Sequence, residues 1–217
     1  MSFLNQLKVQ ASALQRERSV EQFNLDAHTA QTEAACKIVW HYFSDLAKQL
    51  DVLMPAGPRF TLDGKTPWPA MKLERFRADA RKKMLRNKEV FDYVGMGWQI
   101  VPQMGASVGG SVTVNFPPDL ERVESRLAMG LVRHERKELR HPEKNTLQAI
   151  RFDYIAETRG NVTVTPDHDH ATLAFRVVNA SGFEVLSSTW PAAKVQNGVL
   201  DELAKLIVAQ PSQFAQG

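Results

Sequence analysis

Cysteine is almost missing from this 217-residue chain. Cys36 stands alone, which excludes an internal disulfide and a cysteine-built zinc site within one chain. Its neighbours Ala34, Ala35, Ile38 and Val39 mark it as a buried, inert thiol, because reactivity needs an accessible, electropositive setting. Long apolar runs are missing as well: no window approaches the roughly 20 residues of a membrane span. Residues 1–8 lack the apolar run and cleavage site of a secretory signal. The expectation is a soluble, cytoplasmic protein.

Catalytic signatures are also absent. Residues 105–111 are rich in glycine but lack the Gly-Lys-Ser/Thr ending of a phosphate loop, and alternating residues rather than a helix follow them. No serine sits in a nucleophile elbow, and Cys36 has no histidine arranged for catalysis. No cofactor is expected, and the sequence leans away from an enzyme. A strong charge of one sign is missing too. Lys and Arg number 27 against 24 Asp and Glu, a net +3, which is too small to demand a polyanionic partner unless it is unevenly placed.

It is unevenly placed. Residues 71–88 hold eight Lys or Arg against Glu74 and Asp79, a local balance of +6. Leu73, Phe76, Ala80 and Met84 would also fit a helical stripe, but residues 90–101 read as a strand and Arg86-Asn87-Lys88 as a turn, so the segment is expected to form a long β-hairpin. Arg81, Lys82, Lys83, Arg86 and Lys88 then crowd its tip as candidates for an anionic partner, either acidic protein or nucleic acid. The competing explanation is that charge protects a long exposed strand from pairing with other molecules. Phe76 is the sole aromatic among these charges, which argues against a base-stacking platform. A second hairpin, from residue 131 into the strand after residue 146, carries Arg133, Arg136, Lys137, Arg140 and Lys144, diluted by Glu135, Glu138 and Glu143.

The clearest pattern lies at residues 146–189. Ile150, Phe152 and Tyr154, then Val162 and Val164, then Leu173, Phe175 and Val177 alternate with polar residues, the period of half-buried antiparallel strands. Two candidate sites sit in this meander. Arg151, Asp153, Arg176 and Glu184 on the polar face would form an acid–base or carboxylate-binding pocket if they converge; cross-strand ion pairing on a solvated face, with no activity, is the simpler reading. Asp167, His168, Asp169 and His170 are the densest group of metal-ligand types. Four consecutive residues of a turn cannot all face one ion, so a solvated turn is the simpler reading.

Helices complete the outline. Phe3, Leu4, Leu7, Ala11 and Leu14 recur at helical spacing, giving a short amphipathic arm over residues 1–18 that lacks the cationic face of a membrane-surface helix and is expected to pack against protein, its own or a second copy. A long helix is expected over 27–50, capped by Asp26 and stopped by Pro55 and Pro58. A short helix should start at Pro117-Pro118 and end at Gly130. A closing helix uses Val195, Val199, Leu203 and Leu206, starts near Asn197 as its cap, and leads into a mobile tail at 211–217. The fold class is α+β: a curved, mostly antiparallel multi-stranded sheet covered by a long N-terminal and a C-terminal helix, forming one domain over 19–210. The functional expectation is a binding or assembly protein meeting an acidic partner through basic hairpins. The alternative is a small-molecule binder or enzyme on the polar sheet face.

Overall fold

The computed structural model describes residues 3–214 and shows an antiparallel α+β fold. Helix α1 (Phe3–Leu53) opens the chain. Strands β1 (Met71–Leu85) and β2 (Lys88–Pro102) follow as a hairpin. Next come β3 (Gly109–Val114), helix α2 (Pro117–Met129), β4 (His134–Arg140) and β5 (Leu147–Ile155). Strands β6 (Thr158–Asp167), β7 (Thr172–Val178) and β8 (Val185–Pro191) precede helix α3 (Asn197–Ile207).

The two helical segments expected at the N-terminus are one uninterrupted helix. Asp26 lies inside α1 rather than capping it, and the arm boundary at residue 18 falls within the helix. No proline or glycine interrupts residues 3–53, so nothing in the backbone breaks the hydrogen-bond ladder before Pro55. Only the second half of α1 is buried, through Thr29, Thr32, Cys36, Val39, Phe43, Ala47 and Leu50. This stripe of three- and four-residue steps is the helical repeat. Thr29 and Thr32 satisfy their buried hydroxyls by donating to the carbonyls of Leu25 and His28.

The first hairpin forms as expected. Arg86 and Asn87 both take positive φ, 49° and 62°, the geometry of a two-residue turn whose twist matches that of the flanking strands. Two register shifts interrupt β1–β2 pairing, between Glu74 and Arg77 and between Arg81 and Lys82. Helix carboxylates answer both: the Phe76 N–H donates to Asp51 at 3.1 Å, and the Phe91 N–H to Glu33 at 2.7 Å. Each bulge thereby presents a backbone donor that α1 accepts.

The meander is not one sheet. The strand order is β1-β2-β6-β7-β8 in a five-stranded sheet and β3-β5-β4 in a three-stranded one. The chain changes sheets between β5 and β6, across Ala156 and Glu157. Sheet membership is fixed by partners distant in sequence, which alternation within a strand cannot reveal. The apolar faces merge in one core that includes Phe43, Trp98, Phe152, Phe175 and Leu200. Trp68 is buried and stacks on Tyr154 at 5.6 Å.

Smaller differences follow from local chemistry. Residues 59–62 contribute an isolated bridge, Thr61 to Pro67. Gln196, not Asn197, occupies the N-cap of α3. Residues 211–214, expected as part of a mobile tail, are held: the Gln213 N–H donates to Glu202, and Phe214 is buried against Phe175 and Trp190. The rest of that tail, 215–217, lies outside the described residues, as do residues 1 and 2 of the arm.

Candidate functional site

Every cation at the hairpin tip has an acidic partner within the chain. Arg81 and Lys83 both pair with Asp92, and Lys82 pairs with Glu89 at 3.1 Å. Arg86 reaches Asp169 at 2.6 Å and donates to the Thr29 hydroxyl, while Lys88 meets Asp26 at 3.0 Å. Hydrogen bonds from Arg81 and then Lys83 hold the Asp92 carboxyl below its usual range, and Lys88 does the same for Asp26. The tip is thus stitched to α1 and to the β6–β7 turn.

That turn is the Asp-His cluster, and its groups are engaged structurally. His168 is buried and bonds the Phe91 carbonyl through Nε2 at 2.8 Å. Asp167 accepts the N–H groups of Asp169 and His170 and contacts His170 Nδ1 at 2.9 Å. This last bond lowers the Asp167 pKa and raises that of His170. Asp169 accepts from Arg86, and its carbonyl meets His28 Nδ1 at 2.6 Å. No group of three or more His, Cys, Asp or Glu with metal-holding geometry occurs among the described residues.

The four residues of the polar-face pocket are divided between the sheets. Arg151 and Asp153 lie on β5 and line an open cavity of about 600 Å³ with Arg133, Glu135 and Tyr154. Arg176 lies on β7 of the five-stranded sheet, and Glu184 lies in the turn before β8; neither lines this cavity. Asp153 is held by Lys137 at 2.9 Å and by Arg151 at 2.7 Å. Those bonds lower its pKa, Lys137 contributing most, so it is an ionised acceptor rather than a proton donor.

A further concave feature emerges where the two sheets meet. The 600 Å³ cavity shares Arg133 and Ile155 with a second cavity of about 270 Å³, which shares Gln99, Leu131 and Arg159 with a third of about 530 Å³. The three adjoin as one groove. Register explains the lining: Arg77, Gly97 and Asn161 lie opposite one another across β1, β2 and β6, and Gln99 lies opposite Arg159. Cross-strand partners share a face, so Arg77 and Arg159 point to the same side of the sheet. Gly97 adds no side chain to that surface, leaving the backbone approachable.

The groove's charges are unbalanced. Arg77, Arg133 and Arg159 have no ion-pair partner among the described residues; of the nearby carboxylates, Glu157 meets only a hydroxyl, and the others are held by lysines. Glu157 accepts from Ser107 at 2.6 Å, Glu135 and Asp153 hold Lys137, and Glu74 holds Lys72 at 3.0 Å. Met129 and the exposed Leu131 form an apolar shoulder. Leu131 adopts φ 50°, a left-handed conformation that is costly for a leucine.

Arg77 falls in the basic segment of the sequence and Arg133 on its second hairpin, but nothing local in the sequence joins them with Arg159. The signal that could have joined them is the pairing register, which local alternation does not contain. Comparison with known proteins finds no family model, no curated sequence and no solved structure that matches this chain.

Proposed function

We propose that this protein binds an acidic partner, and that the basic hairpins meet it through their stems rather than their tips. The observation that carries the reading is the contrast in pairing: all five tip cations have internal carboxylates, while Arg77, Arg133 and Arg159, which line the groove, form no ion pair among the described residues. An uncompensated arginine beside solvent favours a carboxylate or phosphate ligand and keeps its planar donor fork free to bind it. The apolar shoulder of Met129 and Leu131 beside these arginines favours an acidic polypeptide segment over a nucleic acid. The exposed stacking residues that bases need are not among the groove's lining. A cytoplasmic location is part of the same proposal, and a single cysteine, which leaves no disulfide within one chain, supports it.

The test is fluorescence anisotropy with a labelled oligoglutamate peptide, beside a labelled single-stranded oligonucleotide, at low and at physiological salt. Peptide affinity should fall with salt, and the double variant Arg133→Glu/Arg159→Glu should lose about tenfold or more, while Lys82→Ala leaves it unchanged. No peptide binding at low ionic strength, or stronger dependence on the tip than on the groove, would sink the reading. Tighter binding of the oligonucleotide would replace the acidic protein with nucleic acid.

A further inference from the structure

Gly97 stands at the centre of a ring of donor side chains that have no acceptor. Met96, Trp98 and Ile100 of β2 are buried, so Gly97 and Gln99 face the other side of the five-stranded sheet. On that side Arg77 lies directly opposite Gly97 on β1, and Asn161 directly opposite it on β6. Arg159 lies opposite Gln99 and diagonal to the glycine. Diagonal neighbours are about 7–8 Å apart, within reach of long side chains. All five residues line the 530 Å³ cavity, and the side chains of Arg77, Gln99, Asn161 and Arg159 make no hydrogen bond among the described residues.

The middle of the ring is open. A methyl group on Gly97 would meet nothing closer than the Gly160 carbonyl oxygen at 3.8 Å, whereas at Gly95 the Asp79 carboxylate already stands 2.9 Å from the same position. Gly97 does not take a positive φ, so the backbone does not require glycine there, and the hollow is what the missing side chain provides. Of the flanking carboxylates, Asp79 accepts the Tyr93 hydroxyl at 2.7 Å and Glu74 holds Lys72 at 3.0 Å. Neither pairs with Arg77 or Arg159.

The chemistry of the ring is one-sided. Two guanidiniums and two carboxamides offer more N–H donors than the two oxygens of a carboxylate accept, and the two arginine charges exceed its single charge. A phosphate monoester matches both, with three terminal oxygens and about −1.5 to −2 charge at neutral pH. Arginine forks bind such oxygens in pairs. A nucleic-acid diester, with one charge, is the poorer match. Resting on the acidic-segment reading above, we infer that the hollow over Gly97 receives a phosphorylated side chain carried on that segment, while the groove toward Arg133 takes the acidic residues beside it.

Fluorescence anisotropy with three labelled peptides tests this: a glutamate-flanked sequence with one phosphoserine, the same sequence with serine there, and the same with glutamate there. The phosphoserine form should bind about tenfold or more tighter than either of the others. Gly97→Val fills the hollow and should bring the ratio of phosphoserine to glutamate affinity close to one. Arg77→Gln, at an exposed position, should cut the same ratio and serves if the valine disturbs the strand. Lys82→Ala, at the hairpin tip, should keep the ratio whole. Equal affinity for the phosphoserine and glutamate forms overturns the inference and leaves the acidic-segment reading standing, and a ratio that survives both groove variants overturns it as well. Binding of the phosphoserine form alone keeps the phosphate site and removes the acidic-segment reading; binding of none of the three removes both. Competition by free O-phosphoserine at concentrations as low as the Kd of the peptide would replace the segment with a small phosphate ester.

Discussion

Asp63 shows how a single side chain organises a segment that has almost no regular structure. Its carboxylate accepts the N–H groups of Lys65 at 2.8 Å and Thr66 at 2.7 Å, and the hydroxyls of Thr66 and Thr61. Burial by itself raises the pKa, but the Thr66 and Lys65 backbone donors and the two hydroxyls outweigh it and bring the carboxyl down to about 2 from 3.8. Because the folded-state value is depressed, the stabilisation is fully present above the unfolded value and is lost as pH falls through about 2. Asp63→Ala should therefore cost about 1 kcal/mol near neutral pH, a figure kept small because the group is only partly buried and solvent screens it. The gap between its melting temperature and that of the unmodified protein should close in strong acid. A gap that stays constant down to the lowest accessible pH would count against this account. The sequence announces the Asp63-Gly64 turn, since aspartate caps nearby backbone donors by its own reach; that reach is local, which is why it is legible.

Among the elements, α1 divides into two physical regimes with no break in its backbone. The second half gains its stability from burial on the sheets, the first from being propagated off a helix that is already nucleated. Hydrogen exchange should place the boundary near Leu25: amides of residues 29–50 exchange slowly, and those of residues 3–24 exchange faster. Uniform protection along the helix would contradict this division. The hairpin at 71–102 was legible because its period of 2 is written within the element itself; the buried row of α1 was harder to single out, since Ile38, Tyr42 and Leu46 repeat at helical spacing beside it and are only partly buried. The merging of the two N-terminal helices was not legible, since the stripe lapses at Arg18, Glu21 and Gln22 while the backbone stays helical. The partners of Lys88 and Arg86, Asp26 and Asp169, lie 62 and 83 positions away, beyond what any local pattern encodes. A charge count over residues 71–88 therefore showed an excess of cations without showing that the fold neutralises those at the tip.

Over the whole molecule, the antiparallel α+β class was readable from the balance of strands and helices, and the division into two sheets was not. Ile150, Phe152 and Tyr154 on β5 alternate in the same way as Val162 and Val164 on β6, yet they serve different sheets. The groove exists only because those sheets meet, so its arginines could be named separately but not brought together. Strands β2 and β6 are hydrogen-bonded neighbours, and the three-stranded sheet with α2 occupies the chain between them. Closing so long a connection as a random coil costs about 4 kcal/mol. If β3, α2, β4 and β5 assemble first, they draw the ends of that connection together before β6 docks, so the time order of folding runs opposite to the order in which the larger sheet is written. Phe152→Ala, inside the intervening segment, should slow refolding in stopped-flow experiments, whereas Val177→Ala on β7 should mainly hasten unfolding. Equal slowing by both would mean that the large sheet nucleates without waiting for the small one.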